Sequence, residues 1–353
     1  MKSLIISSKT SFLSVYSRDM VKYVAICMGE CSGTAVEMII KAAGAEPLKA
    51  SCGILVTGDL GVFRHTADDL GLDLPFSSCV STVRELEEAE AAGEKCIFYS
   101  SSSIDISGFE YGKPTKETGI ASYESVRAAV DLVCNGFADT LVTPSVSSIA
   151  LGLAGYSENS ITDLLSSFAE SSRLTNMFLF RKANVFLLKY HGSVRDALDA
   201  VREEMLMDAI VNIESLFASN FFNSSKPIAV SALNPDIGDG EWFGPEEKEI
   251  IAPVIERCRY LGINAVGPVP VRDVYKRSER GDYSATLVYF RNELSSVSLD
   301  KNAVVVTWGL PFVRVGVTCG LEFEKAGRNA ADIKNMVKAL KLASELSDRR
   351  ILA

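Results

Sequence analysis

The stretch Pro227-Ile228-Ala229-Val230-Ser231-Ala232, continued by Leu233-Asn234-Pro235-Asp236-Ile237-Gly238-Asp239-Gly240 and then Gly244-Pro245-Glu246-Glu247, reads as an apolar strand, a turn-rich loop and the opening of a helix. A short apolar run bounded by Pro, Asn, Asp and Gly is the pattern of a strand buried on both faces. In open α/β sheets the loop at the carboxyl end of such a strand is where ligands bind. Gly238, Gly240 and Pro235 allow a tight turn and close backbone approach, and Asn234, Asp236 and Asp239 offer hydrogen-bonding groups. The same residues equally suit a plain connection between strand and helix.

Outward from this unit, strands and helices alternate. Strands are predicted over residues 23–28, 53–57, 95–99, 140–143, 285–289 and 303–307, with a hairpin or strand pair at 176–181 and 185–190. Helices are predicted over 34–43, 62–70, 83–91, 122–135, 164–170, 246–261 and 330–346. The longest amphipathic pattern, 194–217, predicts one helix that packs on its own sheet or on a second subunit. Residues 100–119, rich in Ser, Gly and Lys, read as a surface loop on the hinge side. Such alternation is the signature of a parallel sheet covered by helices on both faces.

The chain has 353 residues, 47% hydrophobic and 23% charged, enough to bury a large core in two lobes. Its 36 Lys and Arg against 45 Asp and Glu give a net charge of -9, which argues against nucleic acid as a partner. Eight cysteines without a Cys-x-x-Cys pair fit reduced thiols in a cytoplasm. No apolar run reaches the roughly 18 to 20 residues of a membrane-crossing helix. Residues 1–19 read as a ragged extension, with a transit segment as the alternative. The Gly-rich run from Gly29 to Glu37 lacks the full G-x-G-x-x-G spacing, which disfavours a Rossmann dinucleotide site.

Four landmarks in order resemble the 4-hydroxythreonine-4-phosphate dehydrogenase family of pyridoxal phosphate biosynthesis. They are Gly29 to Glu37, Leu233 to Glu247, Gly267-Pro268-Val269-Pro270 with Asp273, and Gly309-Leu310-Pro311-Phe312-Val313-Arg314. The last is followed by Thr318-Cys319-Gly320-Leu321 and Ala326-Gly327-Arg328-Asn329-Ala330-Ala331-Asp332. The resemblance implies a two-lobed α/β/α, isocitrate/isopropylmalate dehydrogenase-like fold. Its first lobe spans 20–125 plus 309–353 and its second spans 126–308, with the dimer interface in the second and the active site in the interlobe cleft. It also implies a homodimer, NAD or NADP as hydride acceptor, and a divalent metal holding the substrate oxygens.

By the same resemblance, His191, Thr162 and Asp163 are catalytic, while Arg314, Glu30 and Ser148 contact substrate. Asn234, Asp236, Gly238, Gly320 and Gly327 contact the cofactor. The family's metal is held by three histidines, and here only His191 stands at such a position. Ile161 and Phe290 occupy the other two, and the chain has only one further histidine, His65. Ser148 stands at the family's lysine, Asp236 and Cys319 at two further family histidines. The expected function is therefore an NAD(P)-dependent dehydrogenase of a small phosphorylated or carboxylated hydroxy acid with a degenerate metal site. Its rivals are a non-catalytic homologue serving as a binding or regulatory subunit, and a lyase reusing the cleft.

Overall fold

The structure is a computed structural model and describes residues 21–45, 52–171, 174–180, 183–189, 193–218, 225–237, 242–290, 293 and 303–348. The extension expected over 1–19 lies outside these residues, and so do His191 and Gly238.

Tyr23–Cys27 (β1) and Gly53–Asp59 (β2) are buried along their whole length, as their unbroken β-branched and apolar character requires. They pair in parallel, Val24 opposite Ile54 and Ile26 opposite Val56. Ser78–Val80 (β3) pairs with Cys96–Ser102 (β4), and β4 with β2, while Thr140–Thr143 (β5) flanks β1 on its other side. Val313–Val317 (β12) lies parallel to β5. Beyond it the direction reverses: Val304–Trp308 (β11) is antiparallel to both β12 and Thr175–Phe180 (β6), and Ala183–Lys189 (β7) is antiparallel to β6. Ile228–Ser231 (β8), Ala265–Val269 (β9) and Ala285–Phe290 (β10) run parallel to β7 and complete one twelve-stranded sheet among the described residues. Following the pairings, β5 and β12 point one way and β7, β8 and β10 the other. Their carboxyl ends therefore leave opposite edges of the sheet.

Alternate side chains feed two cores. Val24, Ile26, Ile54 and Val56 pack under the helices Ala35–Ala43 (α1), Leu60–Leu70 (α2) and Lys334–Asp348 (α11). Tyr23, Ala25, Cys27 and Leu55 pack on the other face under Val83–Ala91 (α3) and Lys116–Cys134 (α4). Ser122 and Ser125 of α4 donate to the carbonyls of Gly29 and Thr57 at 2.7 and 2.8 Å, which fixes the helix to the carboxyl ends of β1 and β2. Two further helices, Ser148–Ala154 (α5) and Ile161–Phe168 (α6), pack against α4.

Several expectations are corrected. The helix expected from 122 begins at Lys116, capped by a reciprocal Thr115–Thr118 pair, and β4 extends to Ser102, so the 100–119 segment is only partly loop. A Thr in place of Glu or Gln at the third helical position hid that cap. The 194–217 helix is two: Val194–Asp199 (α7) and Glu203–Ala218 (α8). The break buries Val201, and because the apolar spacing runs through it, periodicity carried no signal. Residues 246–261 open with a π turn, Glu247–Ile251, before Ala252–Tyr260 (α9). Pro253 has no N–H to continue the α ladder, which accounts for the widened turn just ahead of it. Residues 125 and 126 lie inside α4, β5 lies between β1 and β12, and α6 packs on α4. The remaining helix, Val271–Arg280 (α10), buries Val274 and Tyr275 against the second half.

On α3, half-buried Glu90 has its carboxyl pushed up to about 7 by burial and then by Glu87. The folded state thus prefers the neutral acid. That preference stabilises the fold below the ordinary carboxylate range and is lost as pH rises to about 7. Glu90→Gln is expected to raise Tm at pH 8 and leave it nearly unchanged at pH 4, measured by thermal denaturation. Equal shifts at both pH values would refute the assignment.

Candidate active site

A polar cavity of about 250 Å³ opens at the carboxyl ends of β5 and β12. Ser145 comes from the turn between β5 and α5, Ser148 from the first position of α5, and Asn159, Ser160 and Ile161 from the amino end of α6. Arg314, Cys319 and Gly320 come from β12 and the segment after it. Ser160 caps α6 by accepting from the Asp163 N–H at 3.2 Å and donating to Asp163 Oδ2 at 2.7 Å. The amino end of α6 therefore turns its partial positive charge toward the cavity.

Arg314 is the cationic group of the wall and is only 4% exposed. Its Nε donates to Thr143 Oγ1 on β5 at 2.8 Å, and its Nη1 to Thr307 Oγ1 on β11 at 3.0 Å. Thr307 in turn donates to Asn176 Oδ1 at 2.6 Å. Threonines on both flanking strands thus hold the guanidinium in one plane. Gly316, two residues on and on the same strand face, makes the fit possible, since a Cβ there would lie 2.3 Å from Arg314 Nη2. Thr143, Thr307 and Gly316 had not been singled out from the sequence. The Arg-x-Gly alternation within β12 was the available signal for Gly316. Nothing local marked the two threonines, because strand pairing alone brings them to Arg314.

Of the residues expected to form the site, Ser148, Arg314 and Gly320 line this cavity, together with Ile161. Thr162 and Asp163 lie behind it in the first turn of α6, with Asp163 engaged by Ser160. Glu30 is fully buried behind Ser145: its N–H donates to the Ser145 carbonyl at 2.9 Å, and its Oε1 accepts from the Ser32 N–H and hydroxyl at 3.0 and 2.7 Å. Burial pushes the Glu30 carboxyl up. Gly327, at φ +70°, makes room for the Tyr111 ring, 2.4 Å from where its Cβ would stand, and has a packing role.

Asn234 and Asp236 follow β8, and Phe290 ends β10, so all three belong to the opposite edge of the sheet and none lines the cavity. Asn234 Nδ2 donates to Glu246 and Glu247 at 2.7 and 2.9 Å. Glu247 Oε1 accepts the N–H groups of Leu233 and Asn234 at 2.8 and 2.6 Å. Burial raises the Glu247 carboxyl, but these bonds outweigh it and hold the group below its ordinary range. The Asn234 amide therefore shapes its own loop. Asp236 and Ile237 keep left-handed φ values of 50° and 59°, a strained backbone that the Glu247 clamp helps to hold.

The described donors of this cavity do not by themselves suit a divalent metal. Ile161 presents hydrocarbon, Asp163 is engaged by its capping serine, and burial pushes the Cys319 thiol up to about 11, leaving it neutral at physiological pH. Among the described residues no three His, Cys, Asp or Glu side chains gather to hold an ion.

A helix-covered mixed sheet with a polar, arginine-bearing cavity at its carboxyl strand ends places the chain in the isocitrate/isopropylmalate dehydrogenase-like class of α/β folds. The chain belongs to the PdxA family: the family model described as pyridoxal phosphate biosynthetic protein PdxA matches residues 50–343. The 4-hydroxythreonine-4-phosphate dehydrogenase of Geobacter metallireducens is 30% identical over 329 residues, covering 92% of this chain and 95% of that protein. A Fusobacterium nucleatum protein provisionally named D-threonate 4-phosphate dehydrogenase is 26% identical over 325 residues, covering 91% of this chain and 96% of that protein. In fold, the crystal structure of 4-hydroxythreonine-4-phosphate dehydrogenase from Klebsiella pneumoniae superposes with a TM-score of 0.77 at 22% identity, covering 94% of this chain and 99% of that chain.

Proposed function

We propose that the chain oxidises the hydroxyl of a small phosphorylated hydroxy acid with NAD or NADP, and that the phosphate binds between Arg314 and the amino end of α6. The observation that carries this reading is the buried guanidinium, held in plane by Thr143 and Thr307 and turned toward a polar cavity. A planar fork of fixed orientation suits bidentate contact with phosphate. Helix amino ends favour anions for the same electrostatic reason. Ser145 and Ser148 supply hydroxyls for the remaining substrate oxygens. The nicotinamide, when bound, accepts the hydride, and the base proposed to take the hydroxyl proton is His191 of the second copy, because β7, which precedes it, ends at the opposite sheet edge. Gly320, with no atom within 4 Å of the place a Cβ would occupy, leaves room for a ligand at the cavity wall.

A homodimer is part of the proposal. The cavity sits at one sheet edge and the Asn234–Asp236 loop at the other, so a second copy is needed for the two to meet in one site. Exposed Val194, Leu198, Met205 and Val211 on α7 and α8 offer an apolar face for it. A cytoplasmic location is proposed on the eight cysteines and the absence of a Cys-x-x-Cys pair, and no helix among the described residues is long and apolar enough to cross a membrane.

The rival reading, a binding or regulatory subunit without turnover, is favoured by one observation: Ile161 lines the cavity where a ligating histidine is expected. Calorimetry with NAD⁺, NADP⁺ and D-threonate 4-phosphate, followed by absorbance of reduced nicotinamide, separates the two. Turnover that survives chelators supports the dehydrogenase. Binding of the phosphorylated acid without binding of either nucleotide supports the rival, and binding of neither removes both.

A further inference from the structure

Arg314 is set into a row of directly paired residues that crosses three strands. Asn176 on β6 lies opposite Thr307 on β11, and Thr307 lies opposite Arg314 on β12. Residues opposite each other in a ladder share a sheet face, so the register alone brings the three side chains side by side. Asn176 is 6% exposed and stands ahead of the apolar run Met177-Phe178-Leu179-Phe180. A buried amide costs stability unless its polar atoms are paired, so its place in this strand needs a polar reason. The single proton of Thr307 supplies one. A hydroxyl carries one proton and two acceptor lone pairs, whereas a guanidinium can only donate. Toward Arg314 Nη1, at 3.0 Å, Thr307 Oγ1 must therefore accept, and its proton goes to Asn176 Oδ1 at 2.6 Å. The Asn176 oxygen is assigned to this side because the amide nitrogen there would put a second donor on Thr307 Oγ1 and leave the threonine proton without an acceptor among the described residues. Thr307 is 1% exposed, so bulk water does not stand in for the amide.

We infer that Asn176, on the reading that Arg314 binds phosphate, is a positioning residue for that site: it takes the Thr307 proton, turns a threonine lone pair toward Arg314 and so holds the guanidinium fork in the plane the phosphate meets. Asn176 does not line the cavity and acts through Thr307. Without the amide oxygen, a Thr307 proton turned toward Arg314 Nη1 sets donor against donor, and one turned away is buried unpaired. In both cases one of the two threonine holds on the fork is lost, and phosphate affinity falls by about tenfold, the scale of coupling within one hydrogen-bond network.

The test is calorimetry on the full chain with inorganic phosphate and with D-threonate 4-phosphate, alongside thermal melting, for Asn176→Leu, Thr307→Val and the double variant. Each replacement keeps a similar branched shape without the polar atoms. Each single variant is expected to bind about tenfold more weakly than the wild type. Each also melts lower, because one polar partner is left buried and unpaired. The double variant replaces both partners by apolar groups, so its melting temperature recovers while its affinity stays about tenfold below the wild type, no weaker than in the single variants. An asparagine with a structural role alone would give a different pattern, with affinity recovering alongside the fold or with losses that multiply in the double variant. Either of those results, or wild-type affinity in Asn176→Leu, would overturn the inference and leave the phosphate site standing. Failure of the wild type to bind either probe would instead remove the phosphate site, and the inference with it.

Discussion

Arg314→Met is expected to cut affinity for the phosphorylated acid by about a hundredfold or more while the chain still folds. On the proposed reading the guanidinium gives the phosphate two charge-assisted hydrogen bonds, each contributing roughly 1.5 to 3 kcal/mol. Methionine keeps the length and much of the volume of the stem, so little cavity opens beside Gly316. The cost to the fold is smaller. Thr307 keeps Asn176 as a partner, and Thr143 Oγ1 loses the Arg314 donor, which costs about 1 to 3 kcal/mol if nothing replaces it. A domain stable by roughly 5 to 15 kcal/mol survives that loss. Arg314→Lys retains charge but not the planar fork, so it falls between the two, with a loss nearer tenfold. Calorimetry reads the affinity and thermal melting reads the fold. Wild-type affinity in the methionine variant would take Arg314 out of the binding site.

The contrast between Arg314 and its neighbours shows what the residues alone could disclose. The strand at 140–143 and the helix at 83–91 were placed at their observed bounds, because each is a local pattern: an apolar run after a turn, and a Thr82–Glu85 capping box before an amphipathic stretch. β12 was missed as a strand because Arg314 and Gly316 interrupt its apolar run, although Arg314 lines the cavity and Gly316 makes room for its guanidinium. The reversal of direction between β12 and β7 is written in no local pattern. It arises from antiparallel pairing across β11 and β6, whose order in the sheet depends on contacts distant in sequence. That reversal divides the expected residues. Ser148, Arg314 and Gly320 gather at one edge, while Asn234, Asp236 and Phe290 belong to the other. Ile161 was legible as a replacement at a ligating position, while the helix expected from 164 begins at Ile161 itself. Its place on the cavity wall needed the fold.

Gly119→Ala is expected to lower stability by roughly 2 kcal/mol or more and to weaken ligand binding, although alanine is ordinarily the better helix former. Gly119 lies in the first turn of α4, where it crosses α5. A Cβ there would stand 2.1 Å from the Ala150 carbonyl oxygen, 2.6 Å from its carbon and 3.0 Å from Ala154 Cβ. Two of those atoms are backbone, so no rotamer change relieves the clash and one helix must shift. α4 is tied to β1 and β2 through Ser122 and Ser125, so the displacement falls on α5, whose first residue, Ser148, lines the cavity. The helix-propensity gain of about 1 kcal/mol is too small to offset overpacking against backbone. Gly152→Ala is the control of opposite sign: it lies within α5, with no atom within 4 Å of its added Cβ, and should gain up to about 1 kcal/mol. Chemical denaturation of the two variants beside the wild type decides the matter. Gly119→Ala at or above wild-type stability would mean that α4 and α5 do not approach as closely as their backbones indicate, and that Ser148 is not fixed at the cavity by this crossing.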